Sequence, residues 1–130
     1  MKSVDAAIAS IIMLLVSCSG LAAEYRLLSL VALLSEPSKH DGKDVIVSGY
    51  LCSDGAGRYG LFLTKIDCKE MNYGNAIKLE TANLDKKLPK KPSLLSVAGK
   101  FHDWSGFIHT DEPFQWGFIE VVNLHGRNLP

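Results

Sequence analysis

His102-Asp103 and, a few residues on, His109 with Asp111 and Glu112 place two imidazoles and three carboxylates in one stretch of the chain. Side chains of these types could hold zinc or another divalent ion, histidine through a ring nitrogen and the acids through oxygen. The spacing fits no established tight site, so a solvated polar loop is the plainer reading. His102, Asp103 and His109 are therefore weak metal candidates, and a small metal-dependent hydrolase using the 102–112 loop is one alternative function. His40-Asp41 falls in a turn, and His125 stands near the tail. No pair among these histidines stands near a plausible nucleophile in sequence. The chain carries no G-x-S-x-G, no phosphate-binding loop and no dinucleotide fingerprint. Its acids are scattered rather than paired for glycoside hydrolysis. The expectation is a protein that is not an enzyme and has no cofactor.

Aromatic rings are the next candidates. Tyr50, Tyr59, Trp104 and Trp116 could form a ligand surface that stacks bases or sugar rings, although most buried aromatics are simply core. Lys86, Lys87, Lys90 and Lys91 make the one dense basic run, and Pro89 and Pro92 read it as an exposed loop. A solvated loop is the plain account, with a phosphate or anionic-lipid contact as the functional one. Lysine plus arginine and aspartate plus glutamate balance at 14 each. A neutral chain has no long-range field to collect phosphates, which weighs against nucleic acid as the main partner.

Three cysteines remain. Cys52 ends one strand pattern and Cys68 follows the next, so a hairpin would bring them across its open end into a disulfide. Closing a loop of that size is worth about 3 kcal/mol in the chain-entropy model. No C-x-x-C pair suggests redox catalysis. Cys18 is then the odd thiol, at the end of an 18-residue run without formal charge, positions 6 to 23. The run Ala6 to Val16 has the length of a signal-peptide core. Leu15-Val16-Ser17-Cys18 resembles the bacterial lipobox, and that resemblance implies acylation of Cys18 and cleavage before it. Plain cleavage near Gly20 to Ala23 and an uncleaved anchor are the other endings.

The elements that must position these groups are short. Leu27, Leu30, Val31 and Leu34 fall at helical spacing, and Pro37 should close that helix at Glu36. From Asp44 the period becomes two: Val45, Val47, Gly49 and Leu51 share a face, as do Leu95, Val97, Gly99 and Phe101. Leu61 to Thr64, Ala76 to Glu80 and Gly117 to Leu124 complete five strands. Glycines in mid-strand suit a small barrel that bends sharply. The order helix, Pro37, Gly42-Lys43, Val45, Val47, Gly49-Tyr50, then Val97 and Gly99, resembles exported bacterial OB-fold-like small proteins, many of them uncharacterised lipoproteins. The fold implied is mainly β, a five-stranded OB-like barrel with one N-terminal amphipathic helix packed on it. An SH3-like barrel is the structural rival.

The expected organisation is a signal peptide over 1–17, a short tether over 18–26 and a single barrel domain over 27–130. The expected function is a non-catalytic envelope binding or assembly module, lipid-anchored and facing the periplasm from the outer membrane. A soluble periplasmic or secreted form is the alternative location. Its partners would be the membrane, through acylated Cys18, and an envelope protein, peptide or saccharide. An inhibitor or immunity-type partner of another envelope protein is a further alternative.

Overall fold

A strand with one apolar face needs a second surface to cover it, and this chain supplies that surface by curling its sheet shut. The computed structural model describes residues 24–84, 86–107 and 110–126. Cys18 and the expected leader lie outside them, as does His109. Six strands run β1 (Arg26–Leu28), β2 (Asp44–Ser53), β3 (Tyr59–Phe62), β4 (Ala76–Glu80), β5 (Ser93–Asp103) and β6 (Gly117–His125). Two short helices, α1 (Leu30–Ser35) and α2 (Lys65–Glu70), and two 3-10 turns fill the connections.

The barrel order is β2-β3-β4-β6-β5, closed by pairing of β2 with β5. All of these pairs are antiparallel except β4 with β6, which is parallel through Lys78↔Phe118, Leu79↔Ile119 and Glu80↔Glu120. Five strands in this order, with one parallel closing pair, form an OB-type barrel. β1 is added outside the closed circuit. It runs parallel to the first half of β2, with Leu27 opposite Ile46.

The sequence reading extends the helix one turn too far. Ser29 is extended (φ −74°, ψ 150°), and its hydroxyl accepts from the Ala32 N–H, so α1 begins at Leu30. An N-cap serine satisfies an otherwise orphaned donor and fixes where a helix starts. Leu30 and Leu33 are buried against the barrel. Leu27, upstream of the cap, joins the sheet instead and is exposed. Arg26 pairs with Val45 in the same short strand.

Inside the barrel, β2 contributes Val45, Val47 and Leu51, β5 contributes Leu95, Val97 and Phe101, and β6 contributes Ile119, Val121 and Leu124. Fully burying one such side chain stabilises by about 1.5–3 kcal/mol. Two glycines allow the close packing. A Cβ on Gly99 would lie 2.1 Å from the Glu120 carbonyl oxygen, and one on Gly49 would lie 2.8 Å from that of Phe62. The register shift between Ala98 and Gly99 pairs Gly99 with Val121 but Ala98 with Asn123, leaving Val122 as the extra residue of a bulge. Gly99→Ala is therefore expected to cost about 1–3 kcal/mol by overpacking against backbone. Denaturant unfolding checks this, and a loss within 0.5 kcal/mol or less of zero would contradict the packing.

His40 closes the 3-10 turn Pro37–His40 and is buried, and its Nδ1 has no hydrogen-bond partner among the described residues. Burial, and then the charges of Lys43 and Lys39, hold its pKa below the ordinary histidine value. The folded state thus keeps the neutral ring, while the unfolded chain takes up a proton below about pH 6.5. The stability this contributes is present above that pH and declines as pH falls toward the lowered folded value. Melting curves from pH 7.5 to 5 should show a steeper acid loss for the native chain than for His40→Leu. Equal slopes would remove His40 from the account.

Candidate functional site

Side chains alternate along each strand, so every second residue of the barrel points outward and must be covered or left exposed. In an OB barrel, ligands usually bind on the outer face of the second and third barrel strands. Here those strands are β3 and β4. Their outward positions are Gly60, Phe62, Ala76 and Lys78, continued by Tyr50 and Cys52 of β2 through the register Tyr50↔Phe62 and Cys52↔Gly60.

Most of that face is filled. Phe62, Ala76, Cys52, Cys68 and Phe114 form a second buried cluster, with Tyr50, Met71, Tyr73 and Trp104 packed against it. Phe114 lies on the bare backbone of Gly60, where a Cβ would stand 2.5 Å from its ring. Tyr73 meets Phe114 edge-on at 4.9 Å, and Phe62 lies 6.3 Å from each. The chain's own ring thus occupies the place where a stacked ligand would sit.

Two local devices hold this cover down. Cys52 on β2 and Cys68 on α2 are joined as a disulfide, with Cα atoms 5.8 Å apart and a sequence separation of 16. Residues 65–70, a polar loop in the sequence reading, form α2 because Thr64 caps the Asp67 N–H. Asp67 in turn accepts from the Thr64 hydroxyl (2.8 Å) and from the amides of Asn72 (3.1 Å) and Asn75 (3.2 Å). The Thr64 bond lowers the Asp67 pKa most, burial opposes it, and the two asparagines add to the lowering. At the far edge Arg58 pairs with Asp54. Burial alone would raise the Asp54 carboxyl, but N–H donors from Ala56 and Arg58 hold it below its ordinary range.

The outer edge of β4 and β6 carries a ridge. His102 stacks on Phe118 at 4.7 Å, and Trp104 lies 5.1 Å from Phe118. Lys78 sits 5.7 Å above the Trp104 ring and bonds Glu112 at 2.6 Å and Glu80 at 3.3 Å. Desolvation pulls the Lys78 pKa down, but the two carboxylates outweigh it and the ammonium is retained. His102 Nε2 lies 2.7 Å from a Glu120 carboxylate oxygen.

The sequence-predicted surface residues therefore do not converge. Tyr59 and Trp116 pack against the interior core, and Trp116 Nε1 donates to the Gly74 carbonyl at 2.8 Å. Tyr50 and Trp104 pack against the second cluster instead. His102 and Asp103, neighbours on an extended strand, point opposite ways: Asp103 accepts from the Ser105 N–H and hydroxyl, while His102 faces Glu120. No group of three metal-ligating side chains occurs among the described residues.

What sequence reasoning missed is the opposite side of the barrel. Across β1, β2, β5 and β6 the outward residues form rows: Leu27, Ile46, Ala98 and the bulged Val122, then Ser48 and Ser96, then Tyr50 and Leu94. Leu27 is 81% exposed, Leu94 61% and Val122 60%. On β6 the rows continue as Asn123 opposite Ala98 and His125 opposite Ser96, and Lys86 Nζ donates to Asn123 Oδ1 at 3.2 Å. The Ser48 and Ser96 hydroxyls share a 2.7 Å hydrogen bond at the centre. The signal was present in "SLLSVAGKF", where Leu94 sits out of phase with Leu95, Val97, Gly99 and Phe101.

No protein-family profile matches the chain, and no curated protein matches it. Among solved structures it is similar to the telomere capping protein Ten1 from Saccharomyces pombe (TM-score 0.49, 14% identity, covering 81% of this chain and 83% of that one). It is similar in the same degree to the S. pombe Stn1–Ten1 complex (TM-score 0.49, 13% identity, covering 81% and 78%). The likeness is one of fold. The structures that share the fold are a telomere capping protein and its complex, so the expectations of a lipid-anchored envelope module, of a periplasm-facing location, of membrane or envelope partners and of a chain that avoids nucleic acid find no support there and are withdrawn.

The cover over β3 and β4 yields a stability prediction. Replacing Cys52 and Cys68 together by alanine is expected to lower unfolding free energy by about 3 kcal/mol. Calorimetry of the oxidised chain against the variant checks it. An unchanged melting temperature would mean that the Asp67 network alone holds the cover.

Proposed function

We propose that this chain is a non-catalytic OB-fold module that docks another protein through the outer face of β1, β2, β5 and β6. The observation that carries the reading is the division of the barrel exterior. The half that OB barrels commonly give to ligands is filled by Phe114, Phe62, Tyr73 and the disulfide. The other half presents Leu27, Leu94 and Val122 to solvent across adjacent strands, with Asn123, His125 and Lys86 along its β6 edge. Contiguous exposed apolar surface on a folded domain marks interaction sites. The non-catalytic part of the reading draws on the ionisable groups. Arg58, Lys78 and His102 each face a carboxylate, and Asp67 is committed to capping α2.

The test is site-specific photo-crosslinking in the host, with benzoylphenylalanine replacing Leu94 or, on the covered side, Ile66. The expected result is a discrete protease-sensitive adduct through position 94 that disappears when Val122→Asp is added. Adducts through position 66 alone, or adducts removed by nuclease, would overturn the reading.

A further inference from the structure

We infer that the occupant of this face is a second copy of the chain, related by a two-fold axis that lies in the interface and runs across the strands. The inference rests on the docking reading and adds the partner and its orientation.

The first argument is shape. A two-fold that brings one face against itself must lie in the plane of contact. If it crosses the strands through the Ser48–Ser96 pair, it reverses strand direction while keeping each strand over its own counterpart. Leu94 of one copy then stands over Ala98 of the other, because both lie on β5 two outward positions apart across Ser96. Leu94 projects, at 61% exposure, whereas Ala98 is the smallest residue of its row and half-buried between its neighbours. Leu27 at one end of the row and the bulged Val122 at the other are prominent, with Ile46 and the Asn123 partner of Ala98 between them, so Ala98 is the low point of the row. Tyr50 falls over Ile46 by the same operation. The face is complementary to itself, knob to notch.

The second argument is charge. Exposed Lys90 and Lys91 precede β5 at one end of the face. At the other end Asp44, Lys100 and Glu120 stand in one register row, two acids to one base. The axis across the strands lays the lysine end of each copy over the acidic row of its partner. An axis along the strands would instead set the lysines of both copies together, where like charges repel. Charge therefore selects the same axis that shape selects.

The experiment is sedimentation velocity of the full chain over a range of concentrations, with melting curves run on each variant to confirm folding. A concentration-dependent dimer is expected, weakened at least tenfold by Leu94→Asp and weakened also by Ala98→Leu, which fills the notch. Exchanging knob and notch in Leu94→Ala/Ala98→Leu should restore association, a result that a general loss of apolar surface would not give. Raising salt from 0.05 to 0.5 M should loosen the dimer, since exposed charge pairs are screened over a few ångströms at the higher strength. A monomer at every concentration, or a dimer indifferent to both single variants, would overturn the inference. A monomer that still forms the position-94 adduct with a different protein would leave the docking reading standing and remove only the second copy.

Discussion

A closed barrel of five strands has one interior, and strand geometry lets only every second residue enter it. The remaining half of the side chains must find another environment, and the chain solves this differently on its two sides. Over β3 and β4 it builds a second, smaller core from α2, Tyr73 and Phe114. Over β1, β2, β5 and β6 the described residues build no such cover, and among them the outward leucines and valine are exposed. The asymmetry of the exterior is the feature from which the functional reading grows.

The covered side is held by devices of different reach. The disulfide ties β2 to α2, Asp67 gathers three side-chain donors from one loop, and Lys78 brings Glu112 of the long loop onto β4. Gly60 makes the arrangement possible by leaving room for the Phe114 ring. Each device is local, yet together they remove the surface on which an OB barrel would ordinarily stack a ligand. The aromatic residues that drew attention in the sequence are spent on this cover and on the core.

The five barrel strands were legible in the sequence because period-two alternation in "DVIVSGYL" and "SVAGKF" survives into the burial pattern, and in "GFIEVVNL" it holds up to Val121, where the bulge at Val122 shifts its phase. The barrel class followed from glycines in mid-strand, and Gly99 does sit against the Glu120 carbonyl. Leu27 was misplaced because leucines at helical spacing outvoted one capping serine. The 65–70 helix was invisible because its stability comes from Asp67 accepting bonds from residues five and eight positions on, not from an apolar stripe. The exposed face was hidden for a related reason. Leu27, Ile46, Ala98 and Val122 come from four separate strands, and only the register brings them into a row.

The closure of the barrel also sets the order in which the chain can assemble. Ser48 and Ser96 meet across 48 residues of sequence, whereas Cys52 and Cys68 are separated by 16. Long-range pairing must overcome loop-closure entropy before its contacts repay it, and topologies dominated by such pairs fold slowly. The β2–β3 hairpin with α2 is the local unit, and β5 and β6 arrive last in the chain. Until they do, the interior edges of β2 and β4 stand open. A chain in which only β2, β3 and β4 had been made would present unpaired strand edges, the surface most open to wrong pairing.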